Sequence, residues 1–216
     1  MAQIFRPEQV FALKFGAAVA VLLLAALVLV GRSIADPSPG IGSPVAQVPP
    51  FSHRHHVSEV GLDCRFCHAS VERAAFAGFP PTTTCMTCHS RLFRGQPMLA
   101  PVAASLREDR PLRWVRVHRL PGFAYFHHGI HVTKGIGCST CHGRIDRMPL
   151  VWRTSSLEME WCLGCHREPE RFLRPRDRVF DMDWTPPADQ LERGRALAIE
   201  YRIDRRRLAD CSNCHR

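Results

Sequence analysis

The sequence predicts a mainly α and irregular fold, in which short helices are joined by loops and one long apolar helix stands at the N-terminus. Three observations predict it. Only 8% of the 216 residues are aromatic while 17 are proline and 14 glycine, a composition poor in strand formers and rich in turn formers. All ten cysteines fall in Cys-x-x-Cys-His units. Residues 15–31 form an uncharged run dominated by alanine, leucine and valine.

The five units pair Cys64 and Cys67 with His68, Cys85 and Cys88 with His89, Cys138 and Cys141 with His142, Cys162 and Cys165 with His166, and Cys211 and Cys214 with His215. Two cysteines three apart can form thioethers with the two vinyl groups of one porphyrin, and the adjacent histidine reaches its iron. The pattern therefore reads as five covalently bound haem c groups. A zinc site also uses Cys-x-x-Cys, but it needs two further ligands and gives no reason for histidine after every second cysteine. Disulfides carry no histidine rule, and a thioredoxin-like motif occurs once, near a βαβ pattern.

An internal repeat organises these motifs. Phe51-x-His53-x-x-His56-Val57 precedes Cys64, and Phe126-x-His128-x-x-His131-Val132 precedes Cys138 at nearly the same separation. Each unit is followed by two motifs, since Cys64 to Cys85 is 21 residues and Cys138 to Cys162 is 24. The chain thus divides into an anchor at 1–35, a proline-rich linker at 36–50 and a haem region at 51–216. Within the last lie a haem pair at 51–91, a second pair at 114–167 and a terminal haem at 185–216.

A low-spin iron needs a second axial ligand opposite the motif histidine. Histidines three apart on one helical turn can reach two different irons, so His53, His56, His128 and His131 are the expected distal ligands. His118 is the leading choice for the fifth, with Met148 and Met159 as rivals. His55 and His127 fall outside the pattern and are expected to make structural hydrogen bonds.

Extending the apolar run back to Val10 gives 22 residues, or about 33 Å of helix, enough for a bilayer core of about 30 Å. Ser33-Ile34-Ala35 resembles a signal-peptidase site, but the run is longer than a secretory h-region, so a retained single-pass anchor is the expectation. Arg6 and Lys14 before the span and Arg32 after it orient it weakly. Haem attachment outside the bacterial inner membrane places the haem region on the periplasmic side. Pro37, Pro39, Pro44, Pro49 and Pro50 make the linker extended.

A formal charge of +9 ordinarily suggests an anionic partner. Ten haem propionates reduce it to about +4 with ferric and about −1 with ferrous irons, by counting on the sequence charge. Arginines 205–207 are accordingly read as propionate partners or a solvated face, and no nucleic-acid binding is expected. The first longer helix of the C-terminal part is expected to start at Thr185-Pro186-Pro187 and to turn Leu191, Ala198 and Tyr201 inward.

Residues 51–68, residues 114–142 and Met159-Glu-Trp-Cys-Leu-Gly-Cys-His-Arg167 together resemble the membrane-anchored pentahaem cytochrome c subunit of bacterial alternative complex III, with coverage from the anchor to the last residue. The resemblance implies a class III-like multihaem cytochrome c fold and electron transfer without a catalytic site of its own. It implies as partners an iron–sulfur, molybdopterin-enzyme-like subunit, polytopic quinol-oxidising membrane subunits and a monohaem cytochrome c, with electrons leaving to a periplasmic cytochrome or terminal oxidase. The alternative is a small membrane-anchored multihaem quinol dehydrogenase serving a soluble reductase. A pentahaem nitrite reductase fits poorly, because that family uses a lysine variant of the motif and a longer chain.

Overall fold

The computed structural model describes residues 6–35 and 40–215 and falls into two units, Met1–Pro39 and Gly40–Arg216. Among its described residues the first unit holds one helix, α1 (Pro7–Ala35). Its start is written in the sequence. Proline occupies the first helical position, and the Gln9 side chain accepts the Arg6 backbone N–H at 2.9 Å, half of a capping box. Glu8 in the first turn and Arg32 in the last match the helix dipole. Residues Pro7–Arg32 are long and apolar enough to cross a membrane, and their side chains, such as Leu22 and Leu27, are exposed around the helix. The helix continues through the backbone of Ser33–Ala35, where the cleavage-like tripeptide lies. Of the expected linker, 36–39 lie outside the described residues.

The second unit is helical and, among the described residues, contains isolated bridges but no sheet. Residues 40–50 are pinned rather than free: Ile41 bridges Arg153, Val45 bridges Val151, and the Gln47 side chain exchanges two hydrogen bonds with the Val115 backbone at 2.8 and 2.9 Å. A π-helical turn follows (Arg54–Glu59), then α2 (Cys64–Cys67), α3 (Thr82–His89), α4 (Ala100–Arg107), α5 (His128–Thr133), α6 (Cys138–His142), α7 (Met159–Arg167) and α8 (Gln190–Glu200). Four cysteine motifs sit on α2, α3, α6 and α7, and the last on a 3-10 turn, Cys211–Asn213. A short helix suits the motif because residues i and i+3 share a face.

The apolar core is small and dispersed. Among the described residues it comprises Val71, Val102, Met148, Leu173, Val179, Met182, Ala198 and Tyr201. Its best-packed part is where α8 lies on the turn Pro169–Arg171. The inward face is Gln190, Gly194, Ala198 and Tyr201, while Leu191 is 45% exposed. The expectation for Leu191 is thus corrected, and α8 begins at Gln190 rather than at the prolines. Backbone polarity explains both. The buried Gln190 amide donates to the carbonyls of Glu170 and Leu173 at 2.8 Å each, satisfying acceptors an apolar side chain would strand. Gly194 is required because a Cβ there would run into the Glu170 carbonyl.

Replacing Gly194 with alanine should destabilise the unit by about 1–3 kcal/mol through overpacking. Denaturant unfolding measures this, and a neutral substitution would contradict the close approach.

Candidate haem-binding site

Each Phe-x-His-x-x-His unit folds into the same ring cluster. Phe51 meets His53 edge-on at 5.0 Å and stacks on His56 at 4.5 Å; Phe126 meets His128 edge-on at 4.7 Å and stacks on His131 at 4.4 Å. The phenylalanine therefore fixes two imidazoles at once, which is why it belongs to the repeat.

Every one of these four histidines faces a motif histidine. Ring centroids are 6.5 Å apart for His53 and His68, 6.3 Å for His56 and His89, 6.4 Å for His128 and His142, and 6.1 Å for His131 and His166. Such rings are too far apart to touch. Two metal–imidazole bonds of about 2.0 Å plus a ring half-width of about 1.1 Å on each side require about 6.2 Å. The donor set and its spacing therefore fit one iron held between two imidazoles, four times over. The planes are near parallel for His53–His68 (4°) and His128–His142 (8°) and twisted for His56–His89 (67°). The π-turn that carries His56, where the second repeat has α5, accompanies that twist.

The second nitrogens are mostly committed. Nδ1 of His56, His68, His89, His128, His131, His166 and His215 each donates to a backbone carbonyl, of Ser52, Gly78, Leu92, Ala75, His127, Leu208 and Phe123, at 2.8–3.3 Å. This leaves Nε2 as the free donor and fixes the ring orientation. Burial lowers His53 to about 4 and His142 to about 3, and lowers His128 and His131 too, so these rings are neutral as ligation requires. His55 pairs instead with Glu59 at 2.8 Å, and His127 caps α5 by accepting the Ile130 N–H.

The cysteines are half-buried or exposed and none forms a disulfide. Burial pushes the thiol of Cys141 up to about 12 and that of Cys165 to about 11, which disfavours thiolate chemistry there. Among the described residues no group of three or more His, Cys, Asp or Glu side chains converges on one point as a zinc site would. The motifs approach one another in space: Cys85 lies near Cys67, Cys64 near Cys138, Cys141 near Cys165 and Cys162, and Cys162 near Cys214. In space the order is second, first, third, fourth, fifth.

The structure places the remaining expected residues differently. His118 stands against His142, rings 4.3 Å apart at 76°, and the ring beside His215 is Phe123 at 6.0 Å. Met148 is buried where its carbonyl accepts the Arg54 N–H, and Met159 is an exposed residue at the head of α7. Arginines 205–207 divide: Arg205 pairs at 3.0 Å with the buried Glu170, while Arg206 and Arg207 lie near Asp204 and Asp210 on the surface.

One residue escaped the sequence reading. Arg174, 3% exposed, donates to Ser139 and Thr140 within the third motif and to the carbonyls of Arg178 and Asp181, with its guanidinium 4.2 Å over Trp184. Gly137 admits it, since a Cβ there would strike the guanidinium. Its signal was an unexplained glycine immediately before Cys138.

Short helices without a sheet among the described residues, imidazole pairs at iron-spanning distance and adjacent cysteine pairs are features that a multihaem c-type cytochrome requires. Residues 124–216, which hold three of the five motifs, match the family described as cytochrome c7 and related cytochrome c. The chain is also similar to the menaquinone reductase multiheme cytochrome c subunit of Nitratidesulfovibrio vulgaris (strain Hildenborough), 34% identical over 98 residues. That alignment covers 45% of this chain and 46% of the relative, so the matched stretch spans about half the relative's length.

Arg174→Lys should cost about 2–4 kcal/mol, because lysine cannot reproduce a forked, stacked guanidinium whose charged hydrogen bonds are each worth about 1.5–3 kcal/mol. A wild-type denaturation midpoint would contradict the role assigned to the fork.

Proposed function

We propose that the chain is an electron-transfer subunit carrying five covalent haem c groups within a membrane quinol:acceptor oxidoreductase of the alternative complex III type. The observation that carries this reading is the set of four imidazole pairs at 6.1–6.5 Å. When bound, the haems supply one-electron redox chemistry at potentials set by their axial ligands and surroundings.

The chain's own residues do the rest. Cys64 and Cys67, Cys85 and Cys88, Cys138 and Cys141, Cys162 and Cys165, and Cys211 and Cys214 would anchor the five groups by thioethers. His68, His89, His142, His166 and His215 would ligate the irons on one face. On the other face His53 would serve the first, His56 the second, His128 the third and His131 the fourth. The phenylalanine clamps and the carbonyl-bound Nδ1 atoms keep these rings from turning, which limits reorganisation when charge changes. The nearness of cysteines from different motifs supports a conduit in the order second, first, third, fourth, fifth.

Similarity to a menaquinone reductase subunit supports the quinone link. α1 would anchor the chain in the bacterial inner membrane with the second unit on the periplasmic side. The partners proposed are the iron–sulfur, molybdopterin-enzyme-like subunit, the polytopic quinol-oxidising subunits and the monohaem cytochrome c of such a complex.

Single replacement of His53, His56, His128 or His131 by alanine should turn one haem in five high-spin and leave five haems attached. Absorption and paramagnetic resonance spectra of the purified complex read this. Spectra unchanged in all four variants would overturn the ligand set, and a protein holding fewer than five haems would overturn the count.

A further inference from the structure

Nine histidines take part in the proposed ligation, and seven of them give Nδ1 to a backbone carbonyl. His53 and His142 are the exceptions: Nδ1 of each is buried without a hydrogen-bond partner. A coordinated neutral imidazole keeps its proton on Nδ1, so a buried Nδ1–H with no acceptor is costly. A third buried nitrogen without a partner lies beside them, Nε2 of His118. Its ring is in contact with that of His142, with centroids 4.3 Å apart and planes at 76°. His118 cannot share an iron with His142 at that distance, since the four ligand pairs all stand at 6.1–6.5 Å.

We propose that in the haem-loaded protein a small rotation of the contacting His118 ring brings its Nε2 to accept the Nδ1–H of His142, which makes His118 a positioning residue for the third haem rather than an axial ligand of the fifth. The third motif has to recruit a side chain for this purpose. The residue that ends its helix, Gly143, has a positive φ of 59°, and the other motif histidines find carbonyls at Gly78, Leu92, Leu208 and Phe123. The location also matters. His118 contacts His142 of the second histidine-paired half and lies near His53 of the first, so it sits where the two halves of the conduit meet. An acceptor on Nδ1 raises the basicity of the coordinating Nε2 and favours the ferric state, so this contact sets the third haem's potential low relative to an unassisted ligand.

The inference rests on the haem reading above, and one experiment separates the two. His118→Leu and His118→Gln are made in the full complex, and haem content, spin state and redox titration are recorded beside wild type. Expected are five haems in each protein and no new high-spin haem. In the leucine variant one haem should shift upward by about tenfold in its one-electron equilibrium, about 59 mV. Glutamine, whose carbonyl oxygen can accept the same hydrogen, should restore most of the shift. A leucine variant that fails to mature beside a glutamine variant that matures with wild-type potentials supports the same conclusion. Five haems with potentials unchanged in the leucine variant would overturn it, as would a new high-spin haem or a glutamine variant no better than leucine. Fewer than five haems in the wild type would instead overturn the haem reading.

Discussion

The separation of facing imidazoles is the constraint on which the second unit depends. Two rings held about 6.3 Å apart cannot stabilise each other directly, yet four such pairs recur in a chain with a small apolar core. The polypeptide spends its local structure on holding them. Each phenylalanine clamp grips two histidines, each short helix aligns two cysteines and a histidine, and backbone carbonyls fix the second nitrogen. Burial keeps the rings neutral. A metal held between the rings, as proposed, would turn this arrangement of buried imidazoles into a cross-link between chain segments, joining residue 53 to 68 and residue 131 to 166.

What the sequence made legible follows from chemistry that is local along the chain. Cysteine spacing marks the proposed attachment sites because thioethers must reach one porphyrin. The repeated Phe-x-His-x-x-His marks the proposed distal ligands because one turn presents two rings. The apolar run marks α1 because length and hydropathy suffice. What remained hidden depends on segments far apart in sequence. The spatial order of the motifs arises from Cys64 meeting Cys138, which no spacing announces. Arg174 lies 35 residues from Ser139, and only Gly137 hinted at it. His118 drew attention as a lone histidine in a long gap, but its neighbour is set by the fold. Leu191 misled because the inward face of α8 is chosen by backbone carbonyls that need Gln190, not by hydrophobicity.

Charge is distributed in keeping with this division of labour. Buried Glu170 is matched by Arg205, and buried Asp146 by Arg144 at 2.7 Å, so these arginines serve the fold. Arg206 and Arg207 remain at the surface. With 29 basic against 20 acidic side chains, cations outnumber the carboxylates that pair with them, which suits a protein whose proposed cofactors bring their own negative charge.

Anomalous diffraction at the iron edge from the haem-loaded protein tests the pairing most directly. Iron is expected midway between His53 and His68, His56 and His89, His128 and His142, and His131 and His166, with a fifth beside His215. Iron lying away from these midpoints, or a pair of rings with no iron between them, would contradict the pairing.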